Sequence, residues 1–221
     1  MKILSILLLT ISLFTSLHAQ ERIKVNLFKS TNDYISKSYS ETNVTLLVRE
    51  IGKNHIWFKK FIDDETGKKI KNIHTSWAIE YNGDTYFNLG YSLDLNNWKV
   101  FIKLNLEGNR YCMSFIDDNP PNIIKNSGMN YGGGLQGALM SESSKWGKSW
   151  KNNKGERIKI LFIDLLEEKV LRTTRDQKAS GNLLTKRDLK TKFGLKKSNA
   201  EIKQMSFEEI LNIIATKESE K

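Results

Sequence analysis

The sequence predicts an α+β fold, an antiparallel β-rich body with a C-terminal helical element. Three observations carry that prediction. Short runs rich in β-branched and aromatic residues recur between Thr42 and Ile116. Turn chemistry separates them at spacings that suit hairpins rather than βαβ units. Near the end of the chain the apolar period changes, with Phe207, Ile210, Leu211 and Ile214 falling at helical intervals.

The runs follow in order. Ile23, Val25 and Leu27 alternate with polar residues, as in a short strand, and Ser30 or Thr31 can cap a short helix within Ser30–Tyr39 that turns Tyr34 and Ile35 inward. Strands are then expected over Thr42–Val48, Ile56–Ile62, Trp77–Tyr81, Thr85–Tyr91, Trp98–Leu106 and Tyr111–Ile116. Asn82-Gly83-Asp84, Glu65-Thr66-Gly67-Lys68 and Glu107-Gly108-Asn109 supply residues that tolerate the positive φ of tight turns. Both prolines fall at Pro120-Pro121, where the strand run stops, and a glycine-rich loop follows at 128–137. The apolar run Arg157–Leu166 reads as one more strand. Thr185-Lys186-Arg187-Asp188, Ser198-Asn199-Ala200-Glu201 and Ser206-Phe207-Glu208-Glu209 each place a hydroxyl three residues before a carboxylate, the reciprocal pattern that starts a helix.

The start of the chain reads as an address. A basic Lys2, an apolar Ile3–Leu17 and a small Ala19 have the order of a secretory signal peptide, and the apolar run is shorter than the roughly 20 residues of a spanning helix. The expected organisation is a signal peptide at 1–19, a β-rich domain at 20–166, and a basic linker with C-terminal helices at 167–221. A length of 221 residues with 10 Phe, 7 Tyr and 5 Trp suits a packed core in one domain or a domain with an appendage. A single cysteine, Cys112, excludes an internal disulfide and any multi-cysteine metal site. Its alternating surroundings predict a buried, inert thiol.

Charge is unevenly placed. Residues 20–144 hold 15 Lys and Arg against 14 Asp and Glu, whereas residues 145–197 hold 16 against 6. The net +10 of the chain therefore belongs to one segment. It opens with Lys145-Trp146-Gly147-Lys148-Ser149-Trp150-Lys151, in which cations interleave with indoles. Cations meet phosphate or carboxylate groups while indole faces stack on sugars or bases. The alternative is a solvated lysine-rich surface whose tryptophans anchor a loop to the core. The adjoining loop contributes Tyr131, Gly133 and Gln136, and glycines there either let a ligand approach the backbone or merely connect elements. The candidate binding residues are thus Tyr131, Gly133, Gln136, Lys145, Trp146, Lys148, Trp150 and Lys151.

Catalytic and metal patterns are sparse. No Gly-x-Ser-x-Gly elbow, P-loop ending or His-Glu-x-x-His helix occurs. His55 and His74 stand 19 residues apart on expected strands, and with Asp63, Asp64 or Glu65 they compose a conceivable hydrolytic site. Asp117-Asp118-Asn119 lacks the spacing of an EF-hand loop. No catalytic residue, metal ligand or cofactor is assigned.

The stretches Trp77-Ala78-Ile79-Glu80-Tyr81-Asn82-Gly83-Asp84-Thr85-Tyr86-Phe87-Asn88 and Tyr131-Gly132-Gly133-Gly134-Leu135-Gln136-Gly137-Ala138-Leu139, with the signal-like start, resemble uncharacterised exported proteins of Gram-negative bacteria. The resemblance implies a periplasmic or cell-surface setting and carries over no activity and no functional residue. The expectation is an exported, non-enzymatic module that binds an envelope protein or an anionic envelope polymer. The alternatives are a hydrolase with a His/carboxylate site and a structural component of the envelope. Nucleic acid is disfavoured, because no recognisable nucleic-acid fold accompanies the charge.

Overall fold

The computed structural model describes residues 21–70, 76–89, 99–117, 150–151, 154–155, 157–170 and 177–219. Six strands come first: β1 (Arg22–Phe28), β2 (Glu41–Ile51), β3 (His55–Ile62), β4 (Ala78–Tyr81), β5 (Asp84–Asn88) and β6 (Val100–Lys103). They close into an antiparallel barrel in the order β1-β2-β3-β6-β5-β4. Closure follows from β1, which pairs with β2 on one side and β4 on the other. Alternate residues from every strand form one buried cluster, including Ile23, Val25, Leu46, Phe58, Ile79, Tyr86 and Phe101, and this period-2 set is the barrel interior. Phe58 and Phe101 stack there at 5.1 Å, so side chains fill the lumen.

A second sheet is made of β7 (Leu106–Glu107), β8 (Tyr111–Asp117), β9 (Trp150–Lys151), β10 (Arg157–Val170) and β11 (Gln177–Leu183). The order is β11-β10-β8-β7, with β9 pairing to the start of β10. Three helices follow: α2 (Lys186–Thr191), α3 (Asn199–Gln204) and α4 (Phe207–Ser219), while the short α1 (Thr31–Ile35) sits between β1 and β2. The layers are therefore barrel, sheet and helices. Leu161, Ile163, Leu165 and Cys112 join Trp77, Phe87 and Ile102 in the core between barrel and sheet. Ile160, Phe162, Tyr111 and Met113 face the opposite way, onto Leu189, Ile202, Ile210 and Ile214 of the helices.

The expected α+β architecture stands, and its local signals operate as chemistry. Ser30, Thr185 and Ser198 all close capping boxes, with Asp33, Asp188 and Glu201 as their partners. Ser206 and Glu209 make the same reciprocal pair at the start of α4. At the β4–β5 turn Asn82 and Gly83 take φ of 52° and 80°, the left-handed pair that a two-residue hairpin requires.

Several boundaries differ from expectation for identifiable reasons. The run Trp98–Leu106 is not one strand. Within it the chain leaves the barrel after Lys103 and enters the second sheet at Leu106, where the Asn105 amide donates to the Met113 carbonyl at 2.8 Å. The β structure does not stop at 166 before a basic linker. Strand β10 continues to Val170 and pairs with β11, across a register shift between Ile163 and Glu168 that interrupts the alternation on which a strand reading depends. Of Tyr34 and Ile35, only Tyr34 turns inward, at 2% exposure against 46% for Ile35. Neighbours on a helix are about 100° apart, and five residues present a single face.

At Ala179 the edge of β11 is met by side chains. The Ala179 amide donates to Thr31 Oγ1 at 3.0 Å, and its carbonyl accepts from Trp77 Nε1 at 2.8 Å. A buried acceptor stripped of its donor costs about 1–3 kcal/mol. Trp77→Phe keeps most of the ring packing and deletes that donor, so the unfolding free energy should fall by an amount in that range, read as a lower urea midpoint at unchanged slope. A midpoint equal to that of the parent chain would show that the bond contributes nothing.

Candidate functional site

Of the residues singled out in the sequence, Tyr131, Gly133, Gln136, Lys145, Trp146 and Lys148 lie outside the described residues. Lys151 stands on β9, where its backbone pairs with Arg157. Trp150 is 5% exposed and packs in the core between sheet and helices. The pairing of Trp150 with Ile158 fixes β9 against β10, and from there the indole lies among apolar side chains instead of offering a face to a ligand. The stacking role is therefore replaced, at this tryptophan, by that of a core anchor. Its Nε1 has no hydrogen-bond partner among the described residues.

The basic segment continues beyond that point, and its later part is well placed. Leu189 and Phe193 are buried and pin α2 to the sheet. Gly194, at φ 66°, reverses the chain and leads to Ser198, the cap of α3. Cations fill the positions in between: Lys186, Arg187, Lys190, Lys192, Lys196 and Lys197. Two are engaged within the protein. Lys192 Nζ lies 2.5 Å from Glu167 and 3.7 Å from Asp164, and Lys186 Nζ donates to the Asn199 carbonyl at 3.4 Å. Arg187, Lys190, Lys196 and Lys197 have no carboxylate at ion-pair distance among the described residues. Arg187, Lys196 and Lys197 are exposed and Lys190 is half-buried. Hydrogen bonds from Ser198 hold the Glu201 carboxyl below its ordinary range, and the nearby Lys197 and Lys190 add to that effect, so these two cations converge on one place. The surface was not singled out in the sequence because its cations are spread over 11 residues without an indole among them. The signal that could have found it was the pair of capping boxes at Thr185 and Ser198, which fold the interval back on itself.

Beside this surface, Asp164 is almost fully buried and takes two hydrogen bonds from the Arg110 guanidinium, each at 3.2 Å. A buried carboxylate of this kind needs both its cation and its hydrogen bonds.

The groups with catalytic potential are engaged elsewhere. His55 Nε2 lies 3.3 Å from Glu50 Oε1, and His74 falls outside the described residues. Asp63 accepts from the amide and hydroxyl of Thr66 at 2.7 Å, which holds its carboxyl below the usual range. Asp64 is occupied by Lys24 and Thr45. Glu107 accepts from Tyr34 at 2.8 Å and Thr85 at 3.0 Å, with the Lys37 ammonium 3.6 Å away. Burial, ahead of the neighbouring Cys112 and Glu107, pushes the Tyr34 phenol far above its ordinary value. Among the described residues no group of three His, Cys, Asp or Glu side chains is placed to hold a metal ion, and no helix is long and apolar enough to cross a membrane.

Comparison with protein families, with curated proteins and with solved structures finds no match to this chain.

Cys112 is fully buried, and burial pushes its thiol up from 9.0 to about 12. At a given pH its thiolate fraction is lower by about a thousandfold than that of an unperturbed thiol, so a maleimide or iodoacetamide should label it only through opening of the fold. Labelling of the native protein at pH 8 should be slow and rise steeply with urea. Rapid labelling at free-thiol rates without denaturant would contradict the assignment.

Proposed function

We propose that this protein is an exported, non-enzymatic binding module of the cell envelope that holds an anionic polymer. Its contact surface is the helix α2, the turn after it and the start of α3. The carrying observation is the set Arg187, Lys190, Lys196 and Lys197 on α2 and in the turn after it, none of which has a carboxylate at ion-pair distance among the described residues. Clustered cations that are free of close ion pairs raise the local concentration of a polyanion and release its counterions on contact, so such binding weakens as salt rises. The signal-like residues 1–19 and the resemblance to exported Gram-negative proteins support the setting, with the periplasm or cell surface as the location. Lys145, Lys148 and Lys151, with Trp146, extend the same basic segment and are included in the proposed contact.

The test is retention on immobilised polygalacturonate and on immobilised lipopolysaccharide across a salt gradient. The parent chain should be retained and eluted by salt. Replacing Arg187, Lys190, Lys196 and Lys197 together by Gln should lower the slope of log affinity against log salt by roughly two to four. Replacing Lys145, Lys148 and Lys151 by Gln should lower it further. Unchanged retention in both variants would sink the reading.

A further inference from the structure

The turn between β7 and β8 is built around a carboxylate. Gly108 donates to the Tyr111 carbonyl at 3.0 Å and closes the turn. The next two amides, of Arg110 and Tyr111, both point at one carboxyl group, that of Glu218 in the last turn of α4. Arg110 N–H lies 3.1 Å from Oε1 and 3.3 Å from Oε2, and Tyr111 N–H donates to Oε1. Successive amides converging on one anion form a concave site whose partial charges suit a carboxylate. Position 108 must be glycine for the anion to come this close. A Cβ there would stand 2.6 Å from Glu218 Cδ, 2.7 Å from its Oε1 and 2.7 Å from the Tyr111 carbonyl oxygen. The Arg110 side chain is itself fixed beside the turn by its two hydrogen bonds to Asp164.

The present occupant is held by these amides and not by burial of its own helical turn. Helix α4 is anchored by Ile210 and Ile214, both 0% exposed. After Ile214 no described residue is buried. The last turn can therefore lift while the apolar part of the helix stays in place, as helix ends do when no burial holds them. We infer that the β7–β8 turn is a carboxylate-binding cradle for an acidic peptide segment of a partner protein, and that Glu218 of this chain occupies it as a displaceable clasp. A peptide fits better than a bulky sugar acid because the seated group is itself a glutamate side chain reaching over a glycine. The inference does not depend on the basic surface of α2.

The experiment follows the Arg110 and Tyr111 amide resonances of the full chain, nitrogen-labelled, during titration with N-acetylglutamate amide and then with an acidic peptide. The uncharged N-acetylglutamine amide is the control. In Glu218→Ala both resonances should shift saturably, at probe concentrations at least tenfold lower than the parent chain requires, and the control should leave them unmoved. Glu218→Gln keeps the length and helix propensity of the native side chain, and should show the same response more weakly if the alanine variant loosens α4. Absence of a saturable shift in both variants, or an equal response in the parent chain, overturns the inference. Polygalacturonate should move resonances of 187–197 instead. If it moves the Arg110 and Tyr111 pair and the peptide does not, the peptide assignment is overturned while the basic-surface reading survives.

Discussion

From Ile160 to Leu165 strand β10 is buried on both faces, and the rest of the molecule is arranged to satisfy it. Its alternate residues serve two different cores: Leu161, Ile163 and Leu165 toward the barrel, Ile160 and Phe162 toward the helices. Each such side chain removed from water contributes about 1.5–3 kcal/mol, and leaving either face uncovered would forfeit several of them. A strand with two apolar faces cannot lie at the surface of a barrel. It demands a layer on each side, which is why the chain builds a closed barrel first and a helical cover last.

The same constraint explains the polar groups at the layer boundaries. Asp164 continues the helix-facing alternation of β10, and its buried carboxylate is held by Arg110 and Lys192. Burying a charge in this position is tolerable only with its cations in place. At the other boundary, β11 would expose a raw edge inside the protein. Thr31 from α1 and Trp77 from the approach to β4 bond to both backbone groups of Ala179, tying the first part of the chain to a strand 148 and 102 residues later. Polar satisfaction thus works as specific cross-links between layers that apolar contact alone would leave free to slide.

The strand-rich body and the helical end were legible because their signals are local. A capping box needs four residues, a hairpin turn two, and a half-buried strand its own alternation. Where a signal depended on distant partners it was not legible. Val100–Lys103 and Leu106–Glu107 belong to different sheets although they read as one run. The bulge after Ile163 hid β11 within what looked like a linker. Trp150 appeared beside lysines in sequence, yet its surroundings are set by pairing with Ile158 and by helices that follow much later. The cations of α2 and the turn after it were counted within the basic segment, but which of them lack ion-pair partners was not legible, because a charge sum records neither burial nor partners.

The sequence by itself determined the fold class, the helix starts, the tight turns, the buried state of Cys112 and the segment that carries the positive charge. All of these depend on the chemistry of residues within a few positions of one another. Only the tertiary structure decided that the first six strands close into a barrel and that residues 160–165 of the second sheet serve two cores. It also decided which cations remain without carboxylate partners among the described residues, and that a glutamate near the end of the chain sits in the β7–β8 turn. These are consequences of which strands pair and which faces meet. Such pairings bring together residues separated by tens to hundreds of positions, and no local pattern encodes them.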